Sequence, residues 1–326
     1  MTKKRAWYVD QPIEPFEPVT ADRLPDGGDW LYQIKWDGVR MLVYADGDRC
    51  ELFNRHGNRR TDLYPELLDW RSYCKAQSVL LDGEIIALGP DGKPSFHEVM
   101  RRDGIRRLDR VQQASRDVAI TYMVFDLLFC DGQWWMEKPL AERQHKLNEL
   151  IAQSGLVQVV PSYSDGALLL EVTKTQKLEG IVAKKADSIY SLGCKDNRWL
   201  KIKHWGDAIA VIGGYTTNGG IVNALVAGVY DDAGKLHFIG KVGTGRLKRS
   251  EWAALADVFA PIRRDTCPFA QRHRDMAGAV WVEPLLSMRL SYAEWRWQEG
   301  RQLRQPMIEA LLPAPLTELP RFPHPE

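Results

Sequence analysis

The sequence lacks long apolar segments and has few cysteines. No apolar run approaches the roughly 18 residues needed to span a bilayer. The basic start, MTKKRAWYVDQPIEPF, has no apolar signal core behind it. The five cysteines are odd in number and far apart, and no CxxC pair occurs, which disfavours a disulfide framework or a zinc site. These absences predict a protein of the reducing cytoplasm with no membrane partner.

The sequence also lacks a strong charge imbalance, because its net charge is only +1. That value alone does not indicate nucleic acid. The distribution is uneven: residues 101–116 hold six arginines against two aspartates, and residues 246–249 and 263–274 form two further basic clusters. For any single cluster, a solvated face is the simpler interpretation. Three clusters together are compatible with a surface that binds a polyanion.

The chain is long enough for two domains, with 326 residues. Helical spacing predicts helices over residues 140–153 and 166–177. Alternating or continuous apolar runs predict strands over residues 30–35, 39–45, 49–54, 78–88, 119–129, 179–185 and 198–205. Strands and helices are therefore both predicted in this first part, residues 1–204, which indicates an α+β domain.

The sequence pattern changes after about residue 205. Short strands joined by glycine-rich turns follow, with one predicted helix over residues 248–262. This pattern is typical of a small Greek-key barrel of the OB type, with predicted bounds 205–313. The proline-rich tail, residues 314–326, is expected to be poorly ordered.

The stretch YQIKWDGVRMLVY, residues 32–44, predicts a strand, a tight turn and a second strand. It contains Lys35, which is either a surface lysine or a nucleophile. A free lysine amine has a pKa near ~10.4 and cannot attack at neutral pH, whereas burial and nearby cations lower that pKa. The chain offers candidate cations at Arg40, Lys184, Lys201 and Lys203.

Lys201 and Lys203 lie two apart in WLKIK, which places both on one face of a predicted strand. Two lysines aimed into one site repel each other unless an anion is present, and nucleotide phosphates fit that role. The alternative is a solvent face that carries alternate lysines. The apolar frame WLKIKHW weakens that alternative.

Two glutamates lie in apolar surroundings, Glu84 within LLDGEIIAL and Glu179 before GIVAKK. A buried carboxylate is costly unless it is paired or binds a metal. Together with the lysines, these two suit a Mg²⁺–phosphate site; alternatively each simply caps or edges its strand. Phe125, in YMVFDLLF, is either a core residue or a platform for a purine base.

Six motifs follow one another in a characteristic order. They are KxDGxR (35–40), FNRHG (53–57), DGE (82–84), VFDLL (124–128), EGIVAKK (179–185) and WLKIK (199–203). The set resembles the covalent nucleotidyltransferases, and more closely the ATP-dependent DNA ligases, particularly the ligase domain of bacterial end-joining ligases. The resemblance covers roughly residues 10–312. KxDG alone is a weak pattern, but six motifs in this order are a strong one.

The resemblance implies an adenylation domain of antiparallel sheets with flanking helices, followed by an OB-fold β-barrel. It also implies a role for each matching residue. Lys35 would form a lysyl-AMP phosphoamide, and Asp37 would orient the turn that carries it. The other implied contacts are Arg40 and Arg55 with the nucleotide or the DNA 5′-phosphate, Glu84 with the ribose side and a metal, Glu179 with the metal, Phe125 with adenine, Lys201 and Lys203 with the α-phosphate, and Lys184 with a phosphate.

The family usually ends its barrel with LRxP and a further arginine a few residues later. Here GRQLRQPMIEALL (300–312) keeps Leu303, Arg304 and Pro306, but the downstream position is Leu312. This motif is thought to orient the pyrophosphate during adenylation. The resemblance therefore implies that Arg304, or Arg301, serves that step.

The resemblance also implies a three-step reaction with ATP as AMP donor and Mg²⁺ or Mn²⁺ as metal. AMP would pass from Lys35 to a DNA 5′-phosphate, and the 3′-hydroxyl of the break would then expel it. A hinge is expected near residues 204–208. The expected partners are nicked or broken duplex DNA and a DNA-end-binding or repair protein, for a cytoplasmic, nucleoid-associated monomer. RNA ligation, mRNA capping and simple nucleic-acid binding are the competing interpretations.

Overall fold

A computed structural model describes residues 12–243, 245–296, 300, 302–312 and 320–322. The chain divides into two compact units, Met1–His204 and Trp205–Glu326. Among the described residues, no helix is both long and apolar enough to cross a membrane.

The first unit combines two sheets with short helices. Its helices are α1 (Phe96–Asp103), α2 (Val111–Asp117), α3 (Leu140–Leu150) and α4 (Gly166–Thr175). Its strands are β1 (Glu17–Thr20), β2 (Trp30–Ile34), β3 (Val39–Asp46), β4 (Arg49–Asn54), β5 (Ser78–Ala87), β6 (Ile120–Cys130), β7 (Gln133–Trp134), β8 (Val157–Val159), β9 (Gly180–Lys185) and β10 (Lys195–Lys203).

One sheet has four strands in the order β1-β10-β9-β2, and the other has six, with β8 beside β6 on the path β4-β3-β5-β6-β7. The pairs β1–β10 and β6–β8 are parallel, and the other pairs in these two sheets are antiparallel. Both sheets are therefore mixed or mostly antiparallel, which confirms the predicted α+β class.

The six-stranded sheet is covered on both faces, which explains why β5 reads as an almost continuous apolar run. Met41 and Leu81 pack into a core cluster with Val99 of α1. Leu42 and Leu80 point the other way, into a cluster with Phe16 and with Trp199 of the four-stranded sheet. Because side chains alternate along a strand, each of these strands contributes to both clusters.

The second unit is a β-domain with one α-helix among the described residues. The helix is α5 (Arg249–Phe259). The strands are β11 (Gly206–Asn218), β12 (Ile221–Tyr230), β13 (Leu236–Val242), β14 (Arg263–Arg264), β15 (Val280–Val282), β16 (Ser287–Tyr292), β17 (Glu294–Arg296), β18 (Gln302–Arg304) and β19 (Met307–Leu312).

The strands of this unit follow the OB-type pattern without a fully paired barrel. The path β13-β12-β11 continues from the first half of β11 through β16 to β19. An isolated bridge between Gly245 and Ile308 joins the chain beyond β13 to β19. The described residues thus close the ring by one bridge rather than by a ladder, because β13 ends at Val242, before the chain reaches β19.

Most of the predicted tail lies outside the described residues. Within Pro320–Phe322, the Tyr230 amide donates to the Pro320 carbonyl at 2.8 Å, and the Phe322 ring lies 5.7 Å from that of His237. These three residues are packed against β12 and β13 of the second unit.

Candidate active site

Lys35 follows the last residue of β2 and is partly buried. Its amide donates to the Gly180 carbonyl at 3.0 Å, which fixes the lysine beside the start of β9. Its Nζ lies 2.5 Å from Glu179 Oε2, and its side chain is 21% exposed. Lys35 is therefore held by backbone and side chain together, unlike a solvated surface lysine.

Glu179 joins two lysines, one through each carboxylate oxygen. Lys203 Nζ lies 2.7 Å from Glu179 Oε1, across from the 2.5 Å contact of Lys35 with Oε2. Burial raises the pKa of Glu179, but the charges of Lys35 and Lys203 outweigh it and hold that pKa below its usual value. The carboxylate therefore stays charged and keeps both ammonium groups close together.

Two glycines of the motifs permit close backbone approach. Gly180 has φ +140°, and a Cβ there would collide with the Ile202 carbonyl oxygen of β10. A Cβ at Gly38 would collide with the Ile85 carbonyl oxygen of β5. Any other residue would push the strands apart. The glycines therefore bring Glu179 to Lys203 and bring the Lys35 turn against the strand of Glu84.

Lys201 lies on the same face of β10 as Lys203, because they are alternate residues of one strand. It makes no ion pair with any residue that the structure describes. Burial lowers its pKa, and the charges of Lys203, Lys195 and Lys35 lower it further. The side chain is thus a cation in a positive environment, which is where an incoming phosphate is most favourable.

Arg40 is turned towards Asp82. Its Nε and Nη2 donate to the two Asp82 oxygens at 2.9 and 2.6 Å. Burial lowers the pKa of Arg40, but Asp82 and Tyr190 outweigh it, so the guanidinium stays charged. Nη1 donates to no residue in the described part of the chain, which leaves one end of the guanidinium for a ligand.

Lys184 is 2% exposed and lies beneath aromatic rings. Its Nζ is 4.4 Å from the centre of the Phe125 ring and 3.9 Å from that of Trp199. Burial lowers the pKa of Lys184 to about 7, despite the charges of Asp126 and Asp82. The structure therefore places this predicted phosphate contact in the interior, supporting Phe125 from below.

Phe125 is half-buried, so it belongs partly to the core and partly to an accessible surface. The Arg40 guanidinium lies 5.4 Å from its ring centre, and the Trp199 ring stands nearly perpendicular to it at 6.2 Å. Trp36 packs in the same small apolar cluster, and its Nε1 is a buried donor without an acceptor among the described residues. A buried donor of this kind costs about 1–3 kcal/mol unless a ligand completes it.

Glu84 lies on β5 directly opposite Arg40 on β3. Burial raises the pKa of Glu84 to about 8; Lys35 and Arg40 oppose this rise, and Asp37 and Glu179 add to it. Asp37 is half-buried in the turn after Lys35. The glutamate makes no hydrogen bond or ion pair with the described residues, so its oxygens are open to a proton or a cation.

A metal at this site would need ligands beyond the protein. Among the described residues, no group of three or more His, Cys, Asp or Glu side chains is arranged to hold an ion. The charge of Glu179 lies near enough to Glu84 to help raise the pKa of Glu84. Mg²⁺ is commonly held by one or two carboxylates together with phosphates and waters, so the donor set fits a metal that arrives with a nucleotide.

The remaining predicted site residues belong to other elements of the chain. Arg55 is exposed in the turn after β4, and its Nε is 3.1 Å from His56 Nε2. Arg304 lies on β18 of the second unit, with Nη1 3.8 Å from Glu294 Oε2. Arg301, the other candidate of that motif, lies outside the described residues.

Sequence reasoning missed two buried ion pairs around the site, Arg40 with Asp82 and Arg143 with Asp126. Asp82 lies in the same DGE motif as Glu84, so its apolar surroundings were an available signal. Arg143 and Asp126 are both fully buried, with contacts of 2.7 Å from Nε to Oδ1 and 3.0 Å from Nη2 to Oδ2. Arg143 lies on helix α3, and no periodicity connects it to a strand residue 17 positions earlier.

The basic cluster of residues 101–116 has one buried arginine. Arg102 is fully buried and donates to the carbonyls of Leu63 and Val118, each at 2.9 Å. Exposed members without an ion pair in the described part of the chain are Arg106, Arg110 and Arg116. The segment joins the end of β5 to the start of β6. Since Val39 pairs with Ile85, that end of the sheet also receives the Lys35 turn.

Comparison with known proteins gives the same family across both units. A family described as ATP dependent DNA ligase domain matches residues 18–203, and one described as ATP dependent DNA ligase C terminal region matches residues 218–313. The chain is 34% identical over 290 residues to the multifunctional non-homologous end joining DNA repair protein LigD of Mycobacterium tuberculosis, covering 87% of this chain and 36% of that protein. A DNA ligase of Methanoculleus marisnigri is 31% identical over 318 residues, covering 90% of this chain and 55% of that protein.

A solved structure, a mycobacterial DNA ligase D complexed with ATP and MES, matches with a TM-score of 0.53 and 31% identity, over 92% of this chain and 95% of that one. The chain thus spans about a third of the length of the LigD relatives, and nearly all of the solved ligase chain. The resemblance drawn from the six motifs, including its end-joining branch, is confirmed. The chain belongs to the ATP-dependent DNA ligase family.

Proposed function

We propose that the protein seals 5′-phosphate/3′-hydroxyl breaks in duplex DNA, with ATP as AMP donor and Lys35 as the covalent acceptor. The observation that carries the proposal is the arrangement of Lys35, Glu179 and Lys203, with one carboxylate between two amines. Nucleic-acid binding alone would not require a partly buried lysine that shares one carboxylate with a second lysine. A nucleotidyltransferase needs both a nucleophile and phosphate-binding cations there.

The first step forms a bond between Lys35 Nζ and the α-phosphorus of ATP and breaks the bond to pyrophosphate. Lys201 and Lys203 would hold the α-phosphate, since ATP brings negative charge that competes with Glu179 for the lysines. The proton of Lys35 would leave through Glu179, whose carboxylate already contacts Nζ at 2.5 Å. Phe125 would carry the adenine ring, and Glu84 would lie on the ribose side.

In the second step the DNA 5′-phosphate takes AMP from Lys35, and the lysine leaves as the amine. In the third, the 3′-hydroxyl attacks the 5′-phosphorus, and AMP departs. Every step is a displacement at phosphorus, so holding the reacting groups in line and neutralising charge supply most of the acceleration. Four further cations are proposed to assist by neutralising negative charge on the phosphates: Arg40, Arg55, Lys184 and Arg304. Lys184 would act from beneath Phe125. Asp37 is proposed to orient the turn that carries Lys35.

Mg²⁺ or Mn²⁺ is proposed as the cofactor, held by Glu84 and Glu179 together with nucleotide phosphate. When bound, the ion would neutralise charge that develops on the phosphates. It would also favour the ionised form of Glu84, whose pKa is otherwise raised by burial.

The test is sealing of a 5′-phosphorylated nick in duplex DNA, with ATP and either metal. Matched reactions contain GTP in place of ATP, or an RNA strand at the 3′-hydroxyl side. Sealing of the DNA nick with ATP supports the proposal. Covalent labelling by GTP alone would show a capping-type enzyme instead, and sealing restricted to the RNA end would show an RNA ligase.

The cellular role is proposed to be DNA repair in the cytoplasm, at the nucleoid, with the protein acting as a monomer. The likeness to LigD, a protein named for non-homologous end joining, favours breaks that a DNA-end-binding or repair protein presents. Ligation of blunt or cohesive ends, compared with nicks at equal DNA concentration, would separate end joining from nick sealing.

A further inference from the structure

The phenol of Tyr190 lies at the meeting point of three polar groups. Its hydroxyl donates to Asp82 Oδ2 at 2.7 Å. It accepts from Arg40 Nη2 at 3.2 Å and from the Phe16 amide at 3.1 Å. One donor and two lone pairs are all that a phenol offers. The Tyr190 hydroxyl is therefore fully used, and the side chain is only 3% exposed.

These contacts connect the two sheets of the first unit. Arg40 and Asp82 belong to β3 and β5 of the six-stranded sheet, whereas Tyr190 lies in the connection between β9 and β10 of the four-stranded sheet. The Tyr190 ring has its own packing, 5.7 Å from the Trp199 ring and 6.0 Å from that of Phe16. Removing only the hydroxyl would thus leave the ring supported.

The arrangement fixes how Arg40 can act. Asp82 engages Nε and Nη2, and Tyr190 engages Nη2 again, so the plane of the guanidinium is set. Nη1 is left without a partner in the described structure. Without the phenol, the Asp82 carboxylate could rotate within its buried site. The phenol opposes this rotation, because it donates to Oδ2, the same oxygen that accepts from Arg40 Nη2.

We infer that Tyr190 is a positioning residue for nucleotidyl transfer, which holds Arg40 through Asp82 so that Nη1 can donate to a substrate phosphate or ribose oxygen. The inference rests on the proposed function, because it assigns Arg40 to the same nucleotide site as Lys35. Tyr190 itself touches no substrate. Its loss should slow the reaction through misplacement of Arg40 rather than through loss of chemistry.

The test is Tyr190→Phe, compared with Tyr73→Phe. Tyr73 is also buried, and its hydroxyl donates to the Leu67 carbonyl at 2.9 Å, in the other core cluster. Each variant loses one buried hydroxyl. We expect Tyr190→Phe to slow single-turnover labelling of Lys35 by about 10- to 100-fold at saturating ATP, the scale of a small misplacement. Tyr73→Phe should label within about twofold of the wild type.

A second readout is the coupling to Arg40. Arg40→Lys keeps the charge but loses the planar fork that Asp82 holds. Adding Tyr190→Phe to Arg40→Lys should slow labelling little further, because the geometry that Tyr190 maintains is already lost. Tyr73→Phe should multiply independently with Arg40→Lys.

Labelling by Tyr190→Phe within twofold of Tyr73→Phe would overturn the inference. A fully multiplicative effect with Arg40→Lys would also overturn it. A wild-type protein that takes no label from ATP or GTP would contradict the proposed function instead. In that case the coupling is read from urea unfolding midpoints: non-additivity of Tyr190→Phe with Arg40→Lys supports the positioning contact, and additivity refutes it.

Discussion

The four-stranded and six-stranded sheets of the first unit contribute opposite chemistry to the site. The four-stranded sheet and its ends supply Lys35, Lys201 and Lys203, balanced by the carboxylate of Glu179. The six-stranded sheet supplies the carboxylates Asp82, Glu84 and Asp126, two of which are matched by arginines. The paired lysines therefore come from the four-stranded sheet and its ends, and the carboxylates that pair with buried arginines come from the six-stranded sheet.

The two sheets also differ in how firmly their charges are held. Each lysine contacts Glu179 through a single ammonium on a flexible stem, and both stems are partly exposed. The arginines bind their aspartates in two-point contacts, in full or nearly full burial. A lysine can exchange its partner for a phosphate, whereas a buried two-point arginine contact is costly to break. Lys35 and Lys203, the lysine side, can thus release Glu179 more readily than Arg40 and Arg143, the arginine side, can release their aspartates.

The largest expected effect is on the lysine side. Lys35→Ala should reduce covalent AMP labelling by about 10³-fold or more, because the proposed nucleophile is removed. The measurement is gel autoradiography with α-labelled ATP. Lys185→Ala is the matched control, since Lys185 is exposed on β9 of the same sheet. Label retained by Lys35→Ala would show that another residue accepts AMP.

The arginine side should respond in stability. Arg143→Ala should lower the free energy of unfolding by about 3–5 kcal/mol, because Asp126 is left buried without its partner. Urea denaturation followed by fluorescence measures this change. Lys146→Ala, on the same helix, removes an exposed contact to Glu149 and should lower stability far less, because water screens that pair. Equal losses in the two variants would contradict the stabilising role of the buried Arg143–Asp126 pair.

In the absence of metal and nucleotide, Glu84 of the six-stranded sheet should make the free energy of unfolding depend on pH. Its pKa is about 8 in the folded protein and 4.5 as the reference for the unfolded chain. The folded protein therefore binds the extra proton between these values. Its stabilising contribution is complete below about pH 4.5 and is lost as pH rises to about 8.

Glu84→Gln should remove that dependence, which amounts to at most ~1.4 kcal/mol per pH unit within the window. The difference in unfolding free energy between variant and wild type, measured in urea from about pH 5 to pH 8.5, should move in favour of the glutamine. A difference that stays constant with pH would contradict the raised pKa. Mg²⁺ with ATP should flatten the wild-type slope if Glu84 holds the ion.

The smallest expected effect is on the affinity for DNA, through exposed arginines that belong to neither sheet. Arg106, Arg110 and Arg116 are exposed and lie at the end of the six-stranded sheet where the Lys35 turn arrives. Changing all three to Gln should weaken nicked-duplex binding, because fewer phosphates are neutralised. The slope of log K against log salt should fall by up to ~0.9 for each phosphate that the variant no longer binds. Labelling of Lys35 by ATP should be unchanged.

The matched control for this binding experiment replaces three cations that already have carboxylate partners, the exposed Arg59 and Arg71 and the partly exposed Lys146. The control triple should alter the salt slope less than the Arg106, Arg110 and Arg116 triple. Equal slopes for the two triples would indicate a solvated basic face rather than a DNA-binding surface.

Much of the local structure could be predicted from the sequence, because strand and helix patterns depend on neighbours in the chain. Strand alternation in WLKIK places Lys201 and Lys203 on one face, and β10 has that arrangement. The strands and helix predicted beyond residue 205 are present, with α5 over Arg249–Phe259. A Greek-key barrel implies a closed ring, whereas the described strands join at only one bridge, because strand lengths across a ring depend on distant pairing.

The side-chain partners of the site could not be predicted. Arg40 reads as one more cation of the KxDGxR motif, yet it is bound to Asp82 and Tyr190, 42 and 150 positions away. Lys184 is one of the candidate cations in the sequence, yet it lies under Phe125 and Trp199. Burial of a charge is decided by what packs over it, and that comes from elsewhere in the chain.

The sequence by itself determined the family, the two-part architecture and the identity of the lysine nucleophile candidate, because motif order, spacing and periodicity are properties of the chain. Only the tertiary structure decided which charges are paired. Glu179 lies between Lys35 and Lys203, while Asp82 and Asp126 each hold an arginine. The physical reason is that electrostatic partners are chosen by distance and burial in the packed state, and residues far apart in sequence meet there for the first time.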